Sequence, residues 1–286
     1  MRLRRRSRPV ARSPGPPKPA PSSVWTGTRT GNPPVPSPRR QRNNMSSKTL
    51  ALIHTVNWYD RSVIEPFVAP WLRQNPEVRV FNIMDDSLLE ESLAHGGPTP
   101  AVLKRIQFYV LAAEAMGADV AMCSCTTVGE AVRVARQYVS IPVFNVDEPM
   151  ARQAVRLGRR FGIVATVATS PAATRRQLEA AAREAGVSIE IEVALNERAF
   201  EHRRRNELAQ HDELVCREMD RLAKRVEVLV LGQISLAHIN HPLEVPVLQV
   251  AYSGLAEARR LLDQAGPQPD RHSRGRANPV PMAAAG

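Results

Sequence analysis

Hydrophobic and polar positions between residues 49 and 262 alternate between two patterns. Short runs rich in Val, Ile and Leu recur as "LALIHT" from Leu50, "VRVFNI" from Val78, "DVAMCS" from Asp119, "IPVFNV" from Ile141, "RFGIVAT" from Arg160, "SIEIEVA" from Ser188, "EVLVLG" from Glu227 and "VPVLQV" from Val245. Their length and β-branched content predict strands buried on both faces. Between them, "TPAVLKRIQFYVLAAEAMGA" and "SPAATRRQLEAAAREAG" space apolar residues by three and four, which predicts helices. The second has Ser170 as N-cap, Pro171 at the first helical position and Gly186 past the end. Strand alternating with helix predicts an α/β fold of parallel sheets with helices on both faces.

A weak internal repeat divides this pattern in two. "LALIHT" ends in Thr55 and "FGIVAT" in Thr166; a second buried strand then ends near Cys125 in one half and Gln233 in the other, 70 and 67 residues on. Two similar lobes related by a pseudo-twofold, with Cys125 and Gln233 facing each other across an interlobe cleft, follow as the expected architecture.

The charge is unevenly placed. The chain carries 39 Lys and Arg against 28 Asp and Glu, and residues 1–44 hold eleven of the basic residues, ten prolines and no acid. The remainder is therefore neutral, and the basic excess belongs to a segment that cannot bury a core. Nucleic-acid or membrane attraction and an organelle transit peptide are two readings of residues 1–44. The favoured one is an upstream extension, because Met45 directly precedes "SSKTLALIHT". The expected organisation is a tail over 1–44, a two-lobe domain over 45–265 and a second disordered tail over 266–286. No apolar run approaches the roughly twenty residues of a membrane span. Three cysteines, two of them one residue apart, favour a reducing cytoplasm over a disulfide framework.

The chemistry concentrates in "VAMCSCTTVGEA", Val120 to Ala131. An apolar strand gives way to Ser124, Cys125, Thr126 and Thr127 just before a helical pattern. That order sets a thiol and two hydroxyls at a strand's carboxyl end, beside free helix N–H groups. Burial as a small apolar residue is the competing reading for each cysteine.

The set "IHT", "MDDSLL", "SCTTVGEAV", "IPVFNVDEPMA", "GIVAT" and "LGQISLAH" resembles the aspartate/glutamate/hydantoin racemase superfamily over roughly Lys48 to Leu262, in particular a branch with Gln at the second cysteine position. The resemblance implies two α/β lobes around a cofactor-free site for a small carboxylate or amino acid. It gives no expectation of a nucleic-acid or membrane partner and admits a homodimer. It implies one Cys from each lobe beside the substrate α-carbon, one removing a proton and the other supplying one. By position the first is Cys125, with Thr126, Thr127 and Thr166 as carboxylate binders. Where the family's racemases read Gly-Cys-Thr, this chain reads Gly232, Gln233, Ile234. An amide does not exchange protons near neutral pH, so Gln233 becomes a polar wall of the pocket. The expected activity is cofactor-independent isomerisation with one catalytic thiol. A single-thiol lyase or decarboxylase and a non-catalytic acid binder are the alternatives.

His54 and Asn57 follow the first strand and could contact substrate, although a hydrogen-bonded strand-end histidine explains His54 as well. Asp86, Asp147 and Glu148 read as helix-start residues. His238 lies five positions beyond Gln233, about 140° round a helix, and should point elsewhere. Cys123 and Cys216 read as packing, and Arg203 to Arg205 as a solvated face. No close, repeated His or Cys spacing predicts a metal site.

Overall fold

A computed structural model describes residues 48–265 of the chain. The basic segment 1–44 and the segment from Gly266 lie outside the described residues. All eight apolar runs form strands. The first lobe contains β1 (Lys48–His54), β2 (Val78–Met84), β3 (Val120–Cys123) and β4 (Val143–Asn145), with helices α1 (Ala69–Gln74), α2 (Ser87–Ala94), α3 (Pro100–Ala115), α4 (Gly129–Ala135) and α5 (Glu148–Leu157). The second contains β5 (Arg160–Ala165), β6 (Glu190–Leu195), β7 (Val228–Leu231) and β8 (Val247–Gln249), with α6 (Ser170–Ala185), α7 (Glu197–Arg204), α8 (Leu208–Ala223) and α9 (Val250–Gln264). Each lobe is a four-stranded parallel sheet, ordered β2-β1-β3-β4 and β6-β5-β7-β8. The repeated order gives the two lobes their pseudo-twofold relation.

Alternation along each central strand explains its unbroken apolar sequence. In β1, Leu50 and Leu52 enter one core while Ala51 and Ile53 enter another. In β7, Val228 and Val230 face the first core and Leu229 and Leu231 a third. Both sheet faces are covered, so neither alternate set can be polar. The largest core is shared between the lobes: Leu52 and Met122 join Ile163 and Val230 through Met150 of α5 and Leu255 of α9. Helix α5 follows the first sheet but packs on β7 and β8, whereas α9 returns to pack on β1 and β3. Gly254 permits that return, because a Cβ there would lie 2.8 Å from Val146 Cγ2. Burying such side chains contributes roughly 1.5–3 kcal/mol each, which ties the lobes into one body.

Helix ends follow local chemistry with two corrections. Thr99 caps α3, its Oγ1 accepting the Val102 N–H at 3.2 Å ahead of Pro100. Gly186 ends α6 at φ +67°, the left-handed cap that favours glycine. Ser170, however, is the first helical residue of α6 and not its N-cap, which is Thr169. Asp86 occupies the N-cap position of α2 without a capping bond. The preceding Asp85 accepts the Ser87 N–H at 3.1 Å, while Asp86 accepts from Asn57 Nδ2 at 3.0 Å.

Candidate active site

The strand register brings the two halves of the site together. Ile53 lies opposite Cys123 and Val164 opposite Leu231. Two residues further on, the same register aligns Thr55 with Cys125 and Thr166 with Gln233. Here the strands have ended and side chains are free to turn into the interlobe space. A cavity of about 50 Å³ occupies it, lined by Thr55, Cys125, Thr126, Thr127, Ser170, Gln233 and Ser235, with Trp58 and Phe200 among its apolar walls. That volume accommodates on the order of three or four water-sized groups.

Cys125 is half-buried in extended backbone, immediately before a short 3₁₀ turn, Thr126–Val128. Burial pushes its thiol above the usual cysteine range. Opposing that, the neighbouring Thr55 and Thr127 hydroxyls and the N–H groups of Thr127 and Val128 favour its thiolate form. The sulfur is thus a resting thiol inside a ring of donors prepared for negative charge. Cys123, fully buried in β3, is also pushed up by burial and does not line the cavity. Cys216 is half-buried on α8 against the third core, in keeping with packing.

Gln233 occupies the matching place in the second lobe and is engaged internally. Its Oε1 accepts the N–H groups of Thr166 and Val167 at 2.7 and 3.2 Å, and its Nε2 donates to Thr166 Oγ1 at 3.1 Å. Thr166 is consequently turned to Gln233 and does not line the cavity. Thr126 and Thr127 do line it. The Thr126 hydroxyl donates across the lobes to the Gly232 carbonyl, and Thr127 Oγ1 pairs with Thr169 Oγ1 at 2.8 Å. Ser170 and Ser235 line the cavity with hydroxyls that have no hydrogen-bond partner among the described residues. Ser235 was invisible as a site residue in sequence because "QISLAH" reads as an apolar turn; its place two residues after Gln233, mirroring Thr127 after Cys125, was the available signal.

His54 and Asn57 lie off the cavity. The His54 ring is fully buried, with Nε2 against Asn82 Oδ1 at 3.0 Å, Nδ1 against Ser124 Oγ at 2.9 Å, and Tyr59 stacked at 4.2 Å. Burial lowers its pKa to about 4, so it is neutral near pH 7. The Asn82 oxygen selects the tautomer with the proton on Nε2. Asn57 lines neighbouring surface pockets with Trp58.

Two polar groups elsewhere are unusual. Asp147 precedes α5 without capping it; it is fully buried, accepts from Asn145 Nδ2 at 2.6 Å, and its Oδ2 has no partner. Burial raises its pKa to about 7. Glu148, the first residue of α5, accepts from the Asn145 N–H and from Arg136. On α8, Asp212 is held between His211 Nδ1 at 2.6 Å and His238 Nε2 at 2.9 Å. Donor atoms of these three residues lie within 4.8 Å of one another, a set that a cation could use. The 26-residue separation from Asp212 to His238 concealed it from a search for close ligand spacing. No helix among the described residues is long and apolar enough to cross a membrane.

Residues 68–260 match the family model described as Asp/Glu/Hydantoin racemase. Sequence comparison with curated proteins gives no match. Among solved structures, a glutamate racemase from Francisella tularensis, in complex with D-glutamate, superposes with a TM-score of 0.56 at 16% identity, covering 77% of this chain and 82% of that one. An aspartate racemase from Picrophilus torridus gives 0.55 at 14%, covering 79% and 98%. An allantoin racemase from Klebsiella pneumoniae gives 0.54 at 20%, covering 76% and 89%. At these identities the likeness is one of fold.

Proposed function

Because the chain belongs to the Asp/Glu/hydantoin racemase family, we propose that it is a cofactor-independent isomerase acting at the α-carbon of a small carboxylate or amino acid, with Cys125 as its acid–base group. The observation that supports this most is the Cys125 sulfur at the cavity wall within its ring of hydroxyl and N–H donors. Those donors lower the cost of forming a thiolate when a substrate proton is taken or given. Thr126, Thr127 and the unpaired Ser170 and Ser235 hydroxyls supply the polar lining for a carboxylate, while Trp58 and Phe200 exclude water.

Gln233 makes the chemistry one-sided. It places a neutral amide where the family's racemases are expected to have their second thiol. With Cys125 protonated at rest and no acid facing it, a lyase in which the thiol protonates a carbanion after carbon–carbon cleavage is the second reading. Proton NMR in deuterium oxide, run beside chiral chromatography and a carbon dioxide assay, separates the two. Exchange of the α-hydrogen without carbon dioxide supports the isomerase, and stoichiometric carbon dioxide supports the lyase. Neither signal, across a panel of small carboxylates and amino acids, would leave a non-catalytic acid binder.

A further inference from the structure

Helix α8 and the segment after β7 meet through three side chains. His211 Nδ1 lies 2.6 Å from Asp212 Oδ1, and His238 Nε2 lies 2.9 and 3.1 Å from the two oxygens of the same carboxylate. Two imidazole nitrogens from separate parts of the chain thus converge on one oxygen. Their rings stand nearly parallel, 23° apart with centroids at 6.1 Å, and the three donor atoms all lie within 4.8 Å of one another. Ligands of a tetrahedral zinc-type ion, each about 2.0–2.1 Å from the metal, stand about 3.3 Å apart. The nitrogen–oxygen contacts therefore need to widen by less than about 1 Å to admit such an ion.

The cluster is closed at one end and open at the other. The His211 ring is fully buried, and its Nε2 has no partner among the described residues, so the ring's one hydrogen-bonded nitrogen is the one turned to Asp212. An imidazole buried with half of its polar groups unpaired costs stability, and a bond from Nδ1 to a metal offsets that cost. Asp212 is half-buried, and His238 forms part of the wall of a surface pocket of about 570 Å³. Space remains on that side for water or a further ligand.

Donor type and charge select the class of ion. Two imidazoles with one carboxylate suit zinc, cobalt, nickel or copper, whereas magnesium and calcium need several oxygen donors. Arg203, half-buried against Trp58 and not on a fully solvated face, adds positive charge near Asp212 and disfavours a cation held by charge alone. We propose that His211, Asp212 and His238 form a site for one divalent transition-metal ion of the zinc type, with its remaining coordination positions open to the surface pocket. On binding, the ion takes the place of the protons between the two imidazoles and Asp212, and those protons leave to solvent. The ion clamps α8 to the segment that carries Gln233 and Ser235. None of the three ligands lines the Cys125 cavity, and the inference does not rest on the reading of Cys125.

The test uses the full chain with cobalt(II) as a coloured probe for zinc. The unmodified protein should bind Co²⁺ with the weak visible bands of nitrogen and oxygen ligation, and zinc should displace it while magnesium at equal concentration should not. His238→Gln, at the surface, and Asp212→Asn, which keeps the side-chain shape, should each weaken binding roughly tenfold or more, since even changes behind a ligand cost about 10–100-fold. Saturating zinc should raise the Tm of the parent and do so much less for either variant. Electron paramagnetic resonance of the copper(II)-loaded parent should show coupling to two imidazole nitrogens, a readout that needs no variant to fold. Absence of cobalt binding, or unchanged affinity in either folded variant, would overturn the site. So would an intense thiolate-to-cobalt band, which puts the ion on a cysteine, displacement by magnesium, or copper coupled to fewer than two imidazoles. Variants that are less stable without metal, in a protein that binds none, would reduce the three residues to a hydrogen-bonded clasp.

Discussion

The amide oxygen of Gln233 accepts the Thr166 N–H at 2.7 Å, filling the strand-end nest of the second lobe with a group from the protein itself. The Val167 N–H converges on the same oxygen at 3.2 Å. In the first lobe the aligned position is Cys125, whose thiolate form is favoured by neighbouring hydroxyl and N–H groups. Matched backbones thus present a titratable acceptor on one side of the cavity and a neutral one on the other. This difference, and not a difference in fold, is what makes the cleft asymmetric.

Removing the Gln233 amide should cost stability. Gln233→Ala leaves buried N–H groups of Thr166 and Val167 without an acceptor, a loss of roughly 1–3 kcal/mol. Gln233→Glu retains an oxygen in the same place and should lose less. Urea unfolding at pH 8 provides the comparison. An Ala variant as stable as its parent would mean that water satisfies the nest equally well.

Gln233→Cys restores the family's second thiol, and on the one-thiol account it should raise inversion relative to α-hydrogen exchange. In the unmodified protein exchange should exceed inversion, since a proton returned by the same thiol restores the starting configuration. Equal rates of the two in the parent protein would require an acid opposite Cys125. His54 is a poor candidate for it, being buried, neutral and turned to Ser124 and Asn82.

Alkylation should report the resting state of Cys125. Because burial raises its pKa, the iodoacetamide rate should be slow at pH 7 and still climbing at pH 9, without the early plateau of an activated thiolate. Cys125 should nonetheless react before Cys123, which is fully enclosed, and before Cys216, whose thiol is raised by burial and by Asp212 and Asp220. Mass spectrometry of labelled peptides over that pH range assigns each site. Faster labelling of Cys216 would indicate that Cys125 is closed to solvent.

How far the sequence reveals this molecule depends on the range of the interaction concerned. The eight strands were legible because burial on both sheet faces leaves an unbroken apolar run, and the lobe repeat because Thr55 and Thr166 end equivalent strands. The placement of Cys125, Thr126, Thr127 and Gln233 around one cavity followed from those strand ends. Engagement of Thr166 by Gln233 was not legible, since it depends on which side chain reaches the nest first. Nor was the half-buried state of Arg203, because Trp58, which covers it, lies about 145 positions earlier in the chain. Ser170 looked like a cap because Ser before Pro usually is one, yet its hydroxyl lies free at the cavity.

Gly232 is a second point where lobe contact can be tested. A Cβ there would run into Thr174 Oγ1, while its carbonyl receives the Thr126 hydroxyl from the other lobe. Gly232→Ala must therefore displace the Thr174 side chain, and with it α6 or the interlobe bond if that side chain does not turn, at a cost of roughly 1–3 kcal/mol. Pairing it with Thr174→Ser, which removes a methyl but keeps the hydroxyl, should give little relief, whereas Thr174→Ala should recover part of the loss. Thermal melts of the four proteins measure this, and a neutral Gly232→Ala would mean that the Thr174 rotamer yields freely.

The pH dependence of stability should contain two opposing contributions. His54 has its folded pKa lowered from 6.5 to about 4, so the stability it contributes is full above pH 6.5 and is lost as pH falls toward 4. Asp147 has its folded pKa raised from 3.8 to about 7, so its contribution is full below pH 3.8 and is lost as pH rises toward 7. Between pH 4 and 6.5 the two act in opposite directions, and each is worth on the order of 3–4 kcal/mol at 1.4 kcal/mol per pH unit. Their sum should look nearly flat and hide both. Asp147→Asn removes the carboxyl while retaining an oxygen for Asn145 Nδ2. Relative to its parent it should therefore become progressively more stable from pH 4 to about pH 7 and level off above that. His54→Gln should change in the other sense, becoming less destabilised relative to its parent as pH falls from 6.5 to 4. Guanidinium unfolding at half-unit intervals gives both difference curves, in which the remaining carboxylates cancel. A difference curve for Asp147→Asn that does not change with pH would show that Asp147 ionises normally despite its burial, and that its unpartnered Oδ2 is satisfied by water.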